Sequence, residues 1–214
     1  MSCDKIPSRE EFRRALVQKQ GEQITEKLAQ ATVAICGLGG LGSNIAIALA
    51  RAGVKKLVLV DFDKVDVTNL QRQQFKAFQV GMSKSDALVE NLKEIAPYVE
   101  LESYNEKVSE ANIDKFVKDA DVVCEAFDNP EAKSMLVNEV LEKYPQKYLV
   151  AASGMAGTDS ANTITTRKIS KRFYLCGDGA SDVTKGLELL APRVMVCAAH
   201  QALTVIRILS GLEV

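Results

Sequence analysis

The run Gly37-Leu38-Gly39-Gly40-Leu41-Gly42 has the GxGxxG spacing of a loop that receives phosphates. The logic is close approach. Glycine has no Cβ to hold an anion off the backbone, and a helix starting after the loop offers free N–H groups and the positive end of its dipole. Downstream, Asp61-Phe62-Asp63 sets a carboxylate where it can accept hydrogen bonds from both hydroxyls of a ribose. These features serve a dinucleotide and ATP equally. The segment Asn69-Leu70-Gln71-Arg72-Gln73, then Lys84, then Asp128 in Phe127-Asp128-Asn129 separate the two. Arg72 and Lys84 supply cations for a triphosphate, and Asp128 supplies a carboxylate able to hold Mg2+. A hydride-transfer site needs no such collection around its phosphates. The candidate nucleotide ligands are therefore Gly37, Gly39, Gly40, Leu41, Gly42, Asp61, Asp63, Asn69, Arg72, Gln73, Lys84 and Asp128. Two other readings stay open. One is an NAD(P)-dependent Rossmann oxidoreductase, resting on the glycine loop and Asp61 alone. The other is a non-catalytic partner-binding protein that keeps the fold.

Positioning these groups requires strands that end where they sit. Residues 32–36 are a short apolar, β-rich run that stops at the glycine loop. A helix over residues 43–52 follows, closed by Gly53 as its C-cap. Residues 56–60 are a second apolar run, ending at Asp61. Continuous rather than alternating apolar strands imply a sheet covered on both faces, and strand, helix and strand in about thirty residues make a parallel βαβ unit. The pattern continues with a helix over 84–95, a weaker strand over 99–104, a helical stretch at 113–117 and a strand at 121–124. A helix over 131–143 and a strand at 148–152 complete it. The spacing predicts an α/β fold, Rossmann-like and doubly wound, with a mostly parallel sheet. Residues 162–167 and 172–175 predict an antiparallel C-terminal extension, and a long apolar helix over 192–209 ends the chain. Residues 8–30 read as two amino-terminal helices divided at Gly21, the first capped by Ser8 with Glu11 three positions on. We expect a single domain over residues 1–214, with a nucleotide-binding core at 31–152.

The 214 residues carry a formal net charge of −1, which predicts no general attraction to nucleic acid or anionic membranes. No apolar run in the sequence reads as long enough for a membrane span, and residues 1–14 lack the apolar centre of a secretory signal. A cytoplasmic protein is expected. Cys3, Cys36, Cys124, Cys176 and Cys197 form no CxxC pair, so no structural zinc is expected. The lone histidine, His200, lies in the final apolar helix and reads as structural.

In combination, GLGGLGS at 37–43, DFD at 61–63, NLQRQ at 69–73, Lys84 and FDN at 127–129 resemble the ThiF/MoeB family, bacterial relatives of the ubiquitin-activating enzymes. The resemblance runs from about Arg13 to about Leu209. It implies ATP-dependent adenylylation of the carboxy-terminal glycine of a small ubiquitin-like sulfur carrier protein with a Gly-Gly tail. By resemblance, the glycine loop packs on the ATP phosphates and Asp61 holds the ribose. Asn69, Arg72 and Lys84 bind phosphates, and Asp128 binds Mg2+. The family also sends an arginine from an amino-terminal helix into the partner protomer's site. Arg13 has the matching spacing, with Arg14 the near alternative, which implies a homodimer. The short, zinc-less form resembles a ThiF type and points to thiamine biosynthesis over molybdopterin. Activation of another carboxylate, on a MoaD-like carrier, a peptide or a modified tRNA, stays open. The sequence departs from the family in lacking the zinc-binding cysteine pairs. It also lacks the cysteine that some relatives carry in the loop crossing the active site. Here that stretch, 177–190, has Asp178, Ser181, Asp182, Thr184 and Lys185, with Cys176 at its border as the one thiol placed to substitute. Sulfur delivery would then require a separate donor.

Overall fold

The computed structural model describes residues 6–183 and 186–213. Cys3, Thr184 and Lys185 lie outside the described residues. Two helices, α1 (Arg9–Gln20) and α2 (Glu22–Leu28), open the chain. Ser8 caps α1 in a reciprocal capping box with Glu11, and Gly21, at φ 87°, breaks the two apart.

The core is one seven-stranded sheet in the order β3-β2-β1-β4-β5-β7-β6. Its strands are β1 (Thr32–Cys36), β2 (Lys56–Val60), β3 (Glu100–Tyr104), β4 (Val122–Glu125), β5 (Tyr148–Ala152), β6 (Thr165–Ser170) and β7 (Phe173–Gly177). The helices between them are α3 (Gly42–Ala52), α4 (Lys84–Ile95), the short α5 (Asp114–Val117) and α6 (Pro130–Lys143), with α7 (Ala191–Ser210) last. Strands β1, β2, β4 and β5 are buried after their first residue at most, as their unbroken apolar runs require. One face packs Ile35, Leu57, Leu59 and Cys124 against α3, α4 and α7. The other packs Ala34, Val58, Val60 and Val123 against α5 and α6.

The carboxy-terminal part differs in detail from the sequence reading. Residues 161–163 form a 3-10 turn, and β6 begins only at Thr165. β6 and β7 pair antiparallel, but β7 lies parallel to β5, with Ala151 opposite Leu175 and Ala152 opposite Cys176. Only β6 therefore runs against the sheet, and β7 extends the parallel array beyond β5. The expectation of no membrane-length apolar run needs correction as well. α7 has 20 residues and is long and apolar enough to cross a membrane by length and composition, with half of that stretch buried inside the fold. Val194, Cys197, Ala198, Ala202 and Val205 pack into the core, so α7 is placed as a core helix.

Candidate active site

The strand order reverses between β1 and β4, and the cavity opens there, at the carboxyl ends of the parallel strands. It measures about 510 Å³. Gly37, Gly39, Gly40 and Leu41 line it, with Asp61, Asp63, Arg72, Gln73, Lys84 and Asp128 around them. Of the candidate nucleotide ligands, Gly42 and Asn69 are not on the lining, and neither is Arg13 or Arg14 of the same protomer.

The glycines divide into two roles. Gly37 has φ 92°, and an added Cβ would stand 2.7 Å from the Ala126 carbonyl oxygen. At Gly42 the same atom would stand 1.8 Å from the carbonyl oxygen of Gly37. These two permit the chain to pack on itself. Gly39 and Gly40 line the cavity with Gly37, Gly40 lying against Val194 and the stem of Arg72. α3 starts without a side-chain cap, which leaves its amino end to a ligand.

Asp61 does more than the sequence suggested. Its Oδ2 accepts the N–H of Leu38 at 2.6 Å and its Oδ1 accepts the N–H of Asp63 at 2.8 Å. It therefore ties the glycine loop to the end of β2. Burial pushes its pKa above the ordinary aspartate value, against the pull of Lys84 and the two N–H donors. Lys84, the first residue of α4, is almost buried and its Nζ lies 2.8 Å from Asp63 Oδ2. The N–H of Lys84 also donates to the Asp63 carbonyl, so backbone and side chain both tie the Asp-Phe-Asp turn to the start of α4.

Arg72 and Gln73 are held by α3. Asn44 Nδ2 donates to the carbonyls of Gly40 and Arg72, and Ser43 Oγ accepts the N–H of Gln74. Arg72 reaches the cavity with one guanidinium N–H on the Thr68 carbonyl. Gln73 is 8% exposed, and its side-chain oxygen has no partner among the described residues. Asn69 closes the 3-10 turn over Val67–Asn69, its Oδ1 accepting the N–H of Asp66 at 2.9 Å. Its side chain shapes the turn that carries Arg72. Arg13, 44% exposed on α1, pairs with Glu22 at 3.2 Å and Glu26 at 3.6 Å within the same chain.

Asp128 is exposed at the cavity beyond β4. Among the described residues no group of three or more metal-ligating side chains occurs. A lone carboxylate beside a phosphate cradle fits Mg2+, which keeps several waters and takes one or two carboxylates plus substrate phosphates. The loop bearing Asp128 is anchored by a pair that sequence reasoning missed. Glu125, fully buried, accepts the N–H of Phe127 at 2.8 Å and pairs with Lys133 at 2.5 Å, and Lys133 also donates to the Ala152 carbonyl. Burial raises the pKa of Glu125, opposed mainly by Lys133. A carboxylate closing an otherwise apolar strand was the signal available.

Cys176 is corrected as a candidate thiol. It is fully buried, off the cavity, with its Sγ 3.5 Å from Thr166 Oγ1. Cys36, Cys124 and Cys197 are buried too, and burial pushes the thiol of Cys36 up to about 12.

A glycine-rich turn at the switch point of a doubly wound sheet, with Arg72, Lys84 and Asp128 on the same cavity, has the layout of a nucleotide-binding α/β protein. The chain belongs to the ThiF family, whose match covers residues 12–214. It is 34% identical over 189 residues to the molybdopterin-synthase adenylyltransferase of Haemophilus influenzae, covering 86% of this chain and 76% of that protein. It is 35% identical over 164 residues to ubiquitin-like modifier-activating enzyme 5 of Bombyx mori, covering 69% of this chain. The match spans only 40% of the Bombyx mori protein's length. In fold it is similar to the E. coli tRNA N6-threonylcarbamoyladenosine dehydratase TcdA solved in complex with ATP. The TM-score is 0.85 at 20% identity, over 97% of this chain and 98% of that one.

Proposed function

We propose that this chain is an ATP-dependent adenylyltransferase that activates the carboxy-terminal glycine of a small ubiquitin-like carrier, a ThiS-like one serving thiamine biosynthesis. The observation that carries the reading is the convergence of Arg72, Lys84 and Asp128 on one cavity with the glycine loop. The adenylyltransferase relative, aligned over most of both chains, supports the reaction class.

In this reaction a carboxylate oxygen of the carrier forms a bond to the α-phosphorus of ATP. The bond from that phosphorus to the bridging oxygen breaks, and pyrophosphate leaves with the electron pair. The carboxylate is already anionic at neutral pH, so no general base is needed. This accounts for a cavity whose described lining includes neither His nor Cys. The chain's own task is positioning and charge compensation. The glycine loop and the start of α3 receive phosphates. Arg72 and Lys84 offset the charge that accumulates on the α-phosphate. Asp61 and Asp63 border the ribose position, and Asp128 would hold Mg2+, which supplies further charge neutralisation on the phosphates when bound.

The test is exchange of labelled pyrophosphate into ATP with purified ThiS-like and MoaD-like carriers, each compared with a version lacking its final glycine. Exchange with the intact ThiS-like carrier alone is the expected result. Exchange with neither carrier, or tight NADH binding without ATP binding, would overturn the reading. Asp128→Ala is expected to raise the Mg2+ concentration needed for half-maximal exchange by about tenfold or more. An unchanged Mg2+ titration would remove Asp128 from that role.

A second copy of the chain enters the same reading. Arg13 is exposed and outside its own protomer's cavity lining, and to reach a partner's site it would exchange its surface pairs with Glu22 and Glu26. Arg13→Ala and Lys84→Ala proteins, each impaired alone, are expected to regain exchange when mixed, because one hybrid site is intact. Mixtures no more active than their components would remove the trans role.

A further inference from the structure

Arg193, in the first turn of α7, does not line the cavity, and neither does Asp178, the first residue after β7. Their side chains are 5% and 9% exposed and meet at 2.5 Å. Every guanidinium N–H of Arg193 is used. Nε donates to the Ala156 carbonyl and Nη1 to the carbonyls of Asp159 and Ser160. Nη2 donates to Thr163 Oγ1 and to Asp178 Oδ2. Asp178 Oδ1 in turn accepts the N–H groups of Ala180 and Ser181, both at 2.8 Å. Although burial pushes its pKa up, the N–H donors and Arg193 hold it well down, at about 2.

This pair clamps together the loops that leave β5 and β7. They are already joined by Asp178 N–H on the Gly154 carbonyl, Gly179 N–H on the Ser153 carbonyl, and Ala156 N–H on Ser181 Oγ. The fit is tight, since a Cβ on Gly154 would stand 2.0 Å from Asp178 Oδ1. The clamped loops form one wall of the cavity, through Ser153, Gly154, Met155 and Ala156 on one and Ser181, Asp182 and Val183 on the other. That wall lies over β5 and β7, across from the loops of β1 and β2 that carry the phosphate cradle.

We propose that Arg193 and Asp178 are positioning residues for the acyl substrate, fixing the wall along which a Gly-Gly tail meets the α-phosphate and contributing nothing to nucleotide affinity. The proposal rests on the adenylation reading. A buried guanidinium with no unused donor, tied to backbone acceptors of one loop and a carboxylate of the other, leaves the wall one arrangement. Displacing such a wall by about 1 Å costs on the order of 10²-fold in a reaction that depends on alignment.

The test compares two probes by calorimetry: AMP, and glycylglycyl-sulfamoyl adenosine, an inert mimic of the acyl-adenylate. Wild type is expected to bind the mimic more tightly than AMP. Arg193→Met is expected to keep AMP affinity within about twofold and to weaken mimic binding by about tenfold or more, and Arg193→Lys is expected to regain part of it. Should Arg193→Met fail to fold, the isosteric Asp178→Asn decides on the same ratio. An unchanged ratio overturns the positioning role and leaves the adenylation reading standing. Loss of both ligands in every variant makes the pair a general element of the fold and also overturns it. A wild type that binds the mimic no better than AMP overturns the adenylation reading itself, and this proposal with it.

Discussion

Lys84→Ala is expected to lower carrier-dependent pyrophosphate exchange by about 10²–10³-fold, the range for removing one preorganised charge-stabilising donor. Two features put the effect at the upper end. The Lys84 side chain is 8% exposed, so its charge acts in a site partly screened from water. It is also the counter-ion of Asp63, 2.8 Å away. Removing the ammonium leaves that carboxylate facing the phosphates, and repulsion adds to the lost attraction. ATP affinity should therefore fall together with the rate of exchange. Lys84→Arg keeps the charge but replaces a compact ammonium with a longer planar fork, and should fall between. Initial-rate exchange against ATP concentration reads both quantities. Normal exchange by Lys84→Ala would remove this residue from the mechanism.

Gly42→Ala is expected to abolish detectable ATP binding and to lower Tm by several degrees. In an ordinary helix the change stabilises by about 1 kcal/mol. Here the new Cβ would stand 1.8 Å from the carbonyl oxygen and 2.9 Å from the carbonyl carbon of Gly37. Both are backbone atoms. Gly37 is itself fixed at φ 92° against Ala126 and cannot retreat. Overpacking of this kind costs about 1–3 kcal/mol, and each kcal/mol moves Tm by roughly 2–4 °C in a domain of this size. Gly39→Ala is the control, because its Cβ would meet only the Gln73 side chain at 3.6 Å. It should fold like wild type and lose only part of its ATP affinity. A Gly42→Ala protein as stable as wild type would refute the packing argument.

Much of the site was legible because its parts are short-range. The glycine loop and Asp61 each follow directly on a strand whose apolar run marks its end, and Lys84 opens a helix, so spacing alone placed them at one edge of a sheet. Asn69 shows the limit. Its side-chain oxygen serves the Asp66 N–H, a turn-closing use available to any asparagine, and no spacing distinguishes that from a phosphate contact. The parallel pairing of β7 with β5 was hidden for a different reason. A hairpin reads locally as antiparallel, and nothing in either strand says which neighbour the second one will take. Arg193 and Asp178 were invisible as a pair, since a guanidinium that satisfies backbone carbonyls on a distant loop leaves no pattern in its own helix.

The strand order has a consequence for synthesis. β1 is completed at Cys36, but its second neighbour, β4, begins only at Val122. While the chain emerges, β1 and β2 can pair, yet the far edge of β1 stays open, offering Val33, Ala34, Ile35 and Cys36 with free main-chain donors and acceptors. An open apolar edge is a template for pairing with another chain. Nascent fragments ending before β4 should thus be the sticky ones, prone to clump and suited to capture by chaperones. Fragments that include β4 and β5 should lose this adhesiveness, because the seam at which the cavity forms is also the seam that seals the edge.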